Sequence, residues 1–239
     1  MNILLIGYGK MGKEIEALAL ERNHTIVGKI SKNNTSELSN YNSKNTDIAI
    51  EFSEPESAYE NLLYCVTQNI PVLSGTTGWL HKKQEIEQLT IEKGSTFFYA
   101  SNYSIGVNLF FQLNKQLAKL MSSQKQYQAS IKEIHHTQKK DAPSGTAITL
   151  AEGIIENSDY SDWSLEKKAN EILPIEAIRK DPAPGTHTIK YTSEIDDIEI
   201  THTAHSRKGF AMGAVLVAEW LQDKRGVQSM ADFLKDLKI

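Results

Sequence analysis

The chain has 239 residues, of which 40% are hydrophobic and 23% charged, and its formal net charge is −4. This balance is typical of a globular protein with a core of its own and unlike that of disordered or fibrous chains. A net negative charge provides no excess of lysine and arginine for a phosphate backbone, so we expect no nucleic-acid partner.

The single cysteine and the short first apolar segment indicate in which cellular compartment the protein is expected. Cys65 is the only cysteine, so no disulfide can form within the chain, and its apolar surroundings predict a small buried side chain in a reducing compartment. The apolar run at Asn2–Ile6 is too short for a signal peptide or a membrane span. We therefore expect a cytoplasmic protein without a membrane partner.

The first hundred residues alternate short apolar runs with longer helical segments, which predicts βαβ units around a parallel sheet. Ser53 and Glu56 are spaced as a capping box for the helix after the third strand. Gly94 predicts the end of a helix that begins at about His81. The predicted strands are Asn2–Ile6, Thr25–Ile30, Asp47–Phe52, Pro71–Ser74 and Thr96–Ala100.

A second domain with a different pattern begins after Asn102. Its first element is a long helix at Val107–Met121, and a polar, acidic stretch lies around residues 157–171. A final apolar run, Gly213–Leu221, predicts a helix too short to cross a membrane. The leucines that mark one face of the long helix are Leu109, Leu113, Leu117 and Leu120. The predicted strands are Ala129–His135, His187–Thr192 and Asp197–His205.

These elements predict an α/β fold in two parts. The first part is a Rossmann-like dinucleotide-binding domain with a doubly wound parallel sheet. The long strands of the second part favour an antiparallel or mixed sheet, and we interpret this α+β domain as a platform for substrate binding or assembly.

The first turn of the chain carries a dinucleotide fingerprint. It reads Gly7, Tyr8, Gly9, Lys10, Met11, Gly12 and lies between an apolar strand and an amphipathic helix. Gly7 makes the tight turn, Gly9 admits the pyrophosphate and Gly12 allows close packing of the helix. The phosphates then meet the positive end of the helix dipole. A βα turn without a ligand is the alternative.

The second strand ends without the acidic residue that usually binds the adenine ribose. Residues 30–34 read Ile-Ser-Lys-Asn-Asn instead. Without a carboxylate nothing repels a 2′-phosphate, and Lys32 can attract it, unless Lys32 is an ordinary solvated lysine. The sequence therefore favours acceptance of NADPH at least as readily as NADH, and it indicates no metal.

Two further turns are expected at the same edge of the sheet, because parallel strands end together there. One contains Gly75, Thr76 and Thr77, and the other contains Ala100, Ser101, Asn102 and Tyr103. Their backbone groups can bracket a nicotinamide carboxamide. Taken singly, each turn is also explained as ordinary structure.

The stretch from Glu133 to Ala147 concentrates titratable groups beside a helix start. Pro143 and Gly145 break the preceding strand, and Ser144, Gly145 and Thr146 offer hydroxyls and backbone N–H groups at the start of a helix that runs to about residue 156. Two histidines and two lysines next to this anion site can bind a carboxylate and supply a proton near neutral pH. A solvated basic loop is the alternative.

Residues 135–147 read His-His-x-x-Lys-x-Asp-Ala-Pro-Ser-Gly-Thr-Ala, and this stretch resembles the signature of the 4-hydroxy-tetrahydrodipicolinate (dihydrodipicolinate) reductase family. The similarity extends over nearly the whole chain. It takes in the glycine turn, Gly75–Gly78, Ser101–Asn108 and Arg207–Trp220, in the family's order.

The resemblance implies hydride transfer from NADPH or NADH to a small cyclic dicarboxylate, with loss of water, in diaminopimelate and lysine biosynthesis. It implies that His135 donates or accepts a proton and that Lys139 is a second proton donor. It places His136, Gly145 and Thr146 at substrate-binding positions. Lys139, as a cation, can also hold a substrate carboxylate and stabilise charge that develops on the ring.

The resemblance also implies a discontinuous dinucleotide-binding domain, residues 1–102 and 207–239, around a substrate-binding and tetramerisation domain, residues 103–206. A homotetramer is expected. Two other functions are compatible with the two-domain pattern: another NAD(P)-dependent amino-acid dehydrogenase, and a non-catalytic NAD(P)H-sensing protein. The 135–147 stretch argues against the first, and the lack of a helix-turn-helix arrangement or a basic face argues against the second.

Overall fold

The computed structural model describes residues 1–166 and 169–237, so the predicted segments that include 167–168 and 238–239 lie partly outside the described residues. In chain order the strands are β1 (Asn2–Ile6), β2 (Thr25–Ile30), β3 (Ile48–Glu51), β4 (Val72–Ser74), β5 (Thr96–Tyr99), β6 (Gln128–His135), β7 (Asp162–Ser164), β8 (Ile172–Arg179), β9 (Gly185–Thr192), β10 (Asp197–Ala204) and β11 (Gly226–Ser229). The α-helices are α1 (Lys10–Glu21), α2 (Pro55–Thr67), α3 (Lys83–Lys93), α4 (Ile105–Met121), α5 (Gly145–Ile155), α6 (Lys208–Trp220) and α7 (Met230–Asp236).

The chain divides into two compact units, one formed by Met1–Ser104 with the segment that begins at Lys208, the other by Ile105–Arg207. The sheet of the first unit is parallel, in the order β11-β5-β4-β3-β1-β2. Strand β11 pairs with β5, so the last part of the chain completes the sheet that the first hundred residues begin. The strand order reverses between β1 and β3, the position at which doubly wound sheets bind ligands. The predicted parallel sheet is confirmed.

Strands β1, β3, β4 and β5 of the first unit are buried along nearly their whole length because the sheet is covered on both faces, whereas the edge strands β2 and β11 are partly exposed. Residues 3–6 of β1 are completely buried, and Leu62 and Val66 of α2 pack into the same core. Helices α1 and α6 are joined by Arg22, whose guanidinium donates two hydrogen bonds of 2.7 Å to Glu219. Cys65 is buried as predicted, and burial raises the pKa of its thiol.

The second unit contains the predicted mixed sheet, in the order β10-β9-β6-β8-β7. Strands β10, β9 and β6 are antiparallel neighbours, whereas β6, β8 and β7 run parallel. One face of this sheet packs against α5, and Ile131, Ile175 and Ile189 supply the strand side of that core.

Two local predictions were wrong. Ser53 does not cap α2, which begins at Pro55 after Glu54 without a side-chain cap; the Ser53 hydroxyl donates instead to the buried carboxylate of Glu51. The leucine face of α4 is not its buried face, since Leu113 and Leu120 are 54% and 72% exposed. The helix buries other positions, which are Val107, Asn108, Phe110, Asn114 and Ala118.

The sequence also concealed β7 and β8, which lie in and after the polar stretch at residues 157–171. Pro174 stands inside β8, and proline in an apolar run argues against a central strand because it has no N–H to donate. The strand next to Pro174 is β7, which is only three residues long, so the missing N–H donor of the proline affects only a short stretch of pairing. The predicted stop at Gly94 is confirmed, with φ of 61°. Among the described residues, no helix has the length and apolar content that a membrane span requires.

Candidate active site

The glycine turn between β1 and α1 is shaped by close backbone contacts. Gly7 has φ of 94°, and a Cβ there would lie 2.0 Å from the carbonyl oxygen of Phe52. A Cβ on Gly12 would lie 2.4 Å from the carbonyl oxygen of Gly7. Only glycine fits at these two positions, because any larger residue would force β1, β3 and α1 apart.

The space in front of α1 suits a dinucleotide. Gly9 is the N-cap, a Cβ on it would meet nothing within 4 Å, and the first turn of the helix has no acidic side chain. The first N–H groups of a helix have no intrahelical partner and attract anions. The residues present therefore fit a pyrophosphate, with the backbone of Lys10 and Met11 at the helix start.

Side chains around this turn are charged and partly exposed. The Tyr8 ring lies under Lys29, whose Nζ is 4.9 Å from the ring centroid, and the Tyr8 hydroxyl donates to Glu16. Lys32 follows β2 and is 76% exposed, and its Nζ lies 2.5 Å from Oε2 of Glu54. The side chain predicted to attract a 2′-phosphate is thus paired with a carboxylate in this structure.

The two further turns follow β4 and β5 at the same sheet edge as the glycine turn, as parallel pairing requires. Thr77 and Ser101 are exposed, Gly75 and Asn102 are half-buried, and Ala100 is buried. Tyr103 is buried, and its hydroxyl donates to the carbonyl of Ser74 at 2.8 Å.

A buried carboxylate that the sequence analysis overlooked joins two of these turns. Glu51, at the end of β3, accepts hydrogen bonds from the hydroxyls of Ser74 at 2.6 Å and Thr76 at 2.9 Å. It also accepts from the hydroxyl of Ser53 and, at 2.9 Å, from the Ser53 N–H. The side chains of Thr76 and Tyr103 are therefore engaged inside the unit, and the carbonyl of Thr76 also accepts Nε1 of Trp79 at 2.7 Å. An acidic residue ending an apolar strand was the available signal.

The predicted catalytic stretch forms the end of β6, a loop and the start of α5 in the second unit. His135 is buried, His136 is half-buried, and Nζ of Lys139 lies 2.7 Å from Oδ2 of Asp141. The backbone N–H of His136 donates to the carbonyl of Ala183 at 2.8 Å, which fixes the loop where it leaves the strand. Lys139 is thus paired with a carboxylate of its own loop.

The helix predicted after Pro143 is present as α5, which begins at Gly145. Ser144 is the N-cap, and its hydroxyl accepts the N–H of Ala147 at 3.2 Å. Gly145 is exposed and Thr146 half-buried, so their N–H groups lie at the positive end of the helix. Ser144, Gly145 and Thr146, three of the four predicted substrate positions, are therefore consecutive at this helix start, with Ser144 engaged as the cap. The fourth, His136, lies at the other end of the loop.

A buried polar cluster surrounds His135. Glu133 lies two residues before it on the same face of β6, and the sheet register places His187 of β9 opposite Glu133 and Arg179 of β8 opposite His135. The side chain of Glu133 has no exposed surface. The sequence analysis assigned no role to Glu133, His187 or Arg179, because their proximity depends on strand pairing.

Burial and neighbouring charges shift the pKa values of Glu133 and His135. Burial alone would raise the pKa of Glu133, but contacts with His187 and Ser144 and the charge of His135 outweigh it and lower the pKa to about 2. Burial lowers the pKa of His135 to about 4. The cluster thus holds an ionised carboxylate beside a neutral imidazole at neutral pH.

Comparisons with known proteins agree over nearly the whole chain. The family model described as "Dihydrodipicolinate reductase, N-terminus" matches residues 1–103, and the one described as "Dihydrodipicolinate reductase, C-terminus" matches residues 106–234. A 4-hydroxy-tetrahydrodipicolinate reductase of Christiangramia forsetii is 49% identical over 238 residues, which cover 99% of each chain.

Solved structures share the fold. A dipicolinate-bound dihydrodipicolinate reductase from Paenisporosarcina sp. TG-14 superposes with a TM-score of 0.77 at 21% identity, over 98% of this chain and 99% of that one. An amine dehydrogenase from Mycobacterium smegmatis superposes with a TM-score of 0.63 at 10% identity, over 95% of this chain and 94% of that one. The architecture is therefore shared with a dehydrogenase of another kind, whereas the family models and the sequence identity single out one group. The chain belongs to the dihydrodipicolinate reductase family.

Proposed function

We propose that this protein reduces (2S,4S)-4-hydroxy-2,3,4,5-tetrahydrodipicolinate to tetrahydrodipicolinate, with loss of water and with NADPH or NADH as the reductant, in diaminopimelate and lysine biosynthesis. The observation that carries the proposal is the 49% identity to a reductase of that name over 99% of both chains. A structural neighbour bound to dipicolinate, itself a dicarboxylate, supports a small dicarboxylate substrate.

The nicotinamide, when bound, supplies the hydride. In our proposal the backbone of Gly7–Gly12 holds the pyrophosphate at the start of α1. The turns Gly75–Thr77 and Ala100–Tyr103 position the nicotinamide end through backbone groups, because the side chains of Thr76 and Tyr103 are engaged inside the protein.

Lys32 is the proposed contact for a 2′-phosphate. Its present partner, Glu54, is an exposed carboxylate, and exposed ion pairs are weak enough to be exchanged for a phosphate. Lys32→Glu should shift the ratio of kcat/KM for NADPH over NADH severalfold toward NADH, because it brings a negative charge to the phosphate. Steady-state kinetics with both cofactors measures this, and an unchanged ratio would show that Lys32 does not reach the phosphate.

His135 and Lys139 are the proposed proton-handling residues. A neutral imidazole is poorly suited to give up a proton, but a dianionic substrate raises the pKa of His135 by adding negative charge beside it. Lys139 can leave Asp141 for a substrate carboxylate, while the N–H groups of Gly145 and Thr146 hold the other. His136 lies next to this arrangement at the start of the loop.

The test is an assay of NADPH oxidation with freshly generated hydroxytetrahydrodipicolinate. His135→Ala and Lys139→Ala should each lower kcat by roughly 100-fold, the usual effect of removing a positioned acid or base. Lys140→Ala is the matched control, since Lys140 is the exposed neighbour of Lys139. Oxidation of NADPH only with an oxo acid and ammonia would contradict the proposal.

The proposal extends to the assembly and its location. We place the enzyme in the cytoplasm, with residues 1–102 and 207–239 as the dinucleotide-binding domain and residues 103–206 as the substrate-binding and tetramerisation domain. Light scattering coupled to gel filtration measures the assembly directly. A mass of one or two chains would contradict the homotetramer.

A further inference from the structure

Glu133 is a buried carboxylate at the centre of four polar groups. Its Oε2 accepts the N–H of Ser144 at 3.0 Å and lies 3.6 Å from Nδ1 of His135 and 3.7 Å from Nε2 of His187. Its Oε1 accepts from Nη1 of Arg179 at 3.2 Å. A carboxylate without exposed surface persists only where it is paired and hydrogen-bonded, and these contacts meet that need.

The imidazole of His135 is oriented toward this carboxylate. Nδ1 of His135 is buried and has no hydrogen-bond partner among the described residues. Its 3.6 Å separation from Oε2 of Glu133 is too long for a hydrogen bond, and such contacts in unliganded sites tighten when substrate binds. With Nδ1 facing Glu133, Nε2 remains for the substrate.

Arg179 connects the same carboxylate to the loop that carries Lys139. Besides Glu133, its guanidinium donates from Nη2 to the carbonyl of Asp141 at 2.7 Å and from Nε to the carbonyl of Lys139 at 3.3 Å. Three donors of one rigid group thus hold a side chain of β6 and two carbonyls of the loop. Lysine cannot reproduce this, because its single ammonium has no planar fork.

We propose that Glu133 and Arg179 are positioning residues for the proton-handling groups: Glu133 orients the imidazole of His135, and Arg179 holds the backbone beneath Lys139. This inference rests on the proposed function for the roles of His135 and Lys139. Neither positioning residue needs to touch the substrate.

The roles proposed for Glu133 and Arg179 can be tested through the pKa of His135, because both residues carry a charge near its imidazole. The charged and titratable groups that face it are Glu133 on β6, Arg179 on β8, His187 on β9 and Lys139 on the loop. Burial lowers the pKa of His135, the negative charge of Glu133 raises it, and the positive charge of Arg179 lowers it. Removal of the Glu133 charge should therefore lower the pKa of His135, and removal of the Arg179 charge should raise it.

A metal ion is the competing explanation. Glu133, His135 and His187 each offer a ligand atom, and these atoms lie within 4.8 Å of one another. Arg179 argues against it, since a guanidinium bonded to the same carboxylate repels a cation. Stoichiometric zinc in the purified protein by elemental analysis would overturn the positioning proposal.

The first experiment measures the pKa of His135 without any turnover. Histidine-labelled protein is titrated by NMR, with the His135 signals assigned from His135→Gln. Glu133→Gln keeps an acceptor for Ser144 and should lower this pKa by about one unit. Arg179→Gln should raise it, and Glu176→Gln, an exposed change on β8, should leave it unaltered. Shifts in one common direction, or none, would overturn the inference.

The second experiment measures catalysis in the same variants. Glu133→Gln should lower kcat at least tenfold. Arg179→Lys keeps the charge but loses the fork, so it should raise KM for the substrate severalfold with little change in the pKa of His135. Wild-type kinetics in both variants would also overturn the inference. If the wild-type protein fails to reduce hydroxytetrahydrodipicolinate while the NMR shifts appear, the proposed function fails and the orientation of His135 stands.

Discussion

Gly185 leaves the space in which the imidazole of His135 lies. A Cβ on Gly185 would be 3.1 Å from Nε2 and 3.3 Å from Cδ2 of His135, closer than ordinary carbon contacts allow. Gly185 is in β9, and its φ is not in the left-handed region, so the backbone itself accepts another residue. Glycine is favoured here by the neighbouring side chain and not by the turn of the chain, because His135 would have to shift by a few tenths of an ångström to accept a Cβ.

Gly185→Ala should therefore lower kcat about tenfold, because the imidazole must tilt away from the position that Glu133 favours. Thermal stability should change little, since alanine suits a strand better than glycine does. The matched control is Gly209→Ala, where a Cβ would meet only Ser104 Oγ at an ordinary 3.5 Å. Steady-state kinetics and thermal unfolding separate the two effects, and unchanged kcat in Gly185→Ala would show that His135 has room to move.

One part of the candidate site could be predicted from residue patterns, and another part could not. The glycine turn and the 135–147 stretch are continuous in sequence, so their spacing alone pointed to the chemistry. Glu133, Arg179 and His187 come from three strands, and only the register of the sheet brings them together. Since β8 was not predicted, no sequence argument could have placed Arg179 beside Glu133.

Elements were predictable where local and tertiary preferences agree. The five strands of the first hundred residues are short apolar runs between turns, and all were found within a residue of their observed ends. The buried face of α4 was missed because polar residues lie on it. Asn114 is buried there because its amide donates to the carbonyl of Leu150 at 2.8 Å, a bond that hydrophobic periodicity cannot anticipate.

The ends of β3 and β4 are joined by Glu51, and this junction is open to a direct test. Glu51→Ala would leave the hydroxyls of Ser53, Ser74 and Thr76 without their carboxylate acceptor, each a loss on the order of 1 kcal/mol or more. The N–H of Ser53 would keep the hydroxyl of Thr76 as an acceptor. We expect a drop of about 3 kcal/mol in unfolding free energy and weaker NADPH binding, because the turn at Gly75–Thr77 loses its anchor.

Glu51→Gln is the informative companion variant, since its amide can accept one hydroxyl and donate to another. It should recover most of the stability and of the NADPH affinity. Urea unfolding and fluorescence titration with NADPH provide the two measurements. Wild-type behaviour of Glu51→Ala in both would show that the hydroxyls find other partners and that Glu51 does not hold the turn.

At the scale of the whole molecule, the buried cluster makes stability depend on pH. The pKa of His135 is about 4 in the folded protein, below the usual histidine value of 6.5, so the unfolded chain binds more protons between these two values. Stability that comes from keeping this histidine neutral is complete above pH ~6.5 and is lost as the pH falls toward ~4. Glu133, with a pKa of about 2 against 4.5, adds a second loss below pH ~4.5.

Wild-type protein should therefore lose unfolding free energy in two successive ranges, by at most about 3 kcal/mol in the upper one. His135→Gln removes the group that titrates between pH ~6.5 and ~4, so its melting temperature should fall less over that range than the wild type's. His81→Gln, an exposed change outside the cluster, is the control and should follow the wild type. Thermal unfolding at pH 7, 5.5 and 4.5 compares the three proteins.

If His135→Gln and the wild type lose stability in parallel, the imidazole is not held neutral by burial. The mechanism would then need no substrate charge to protonate it.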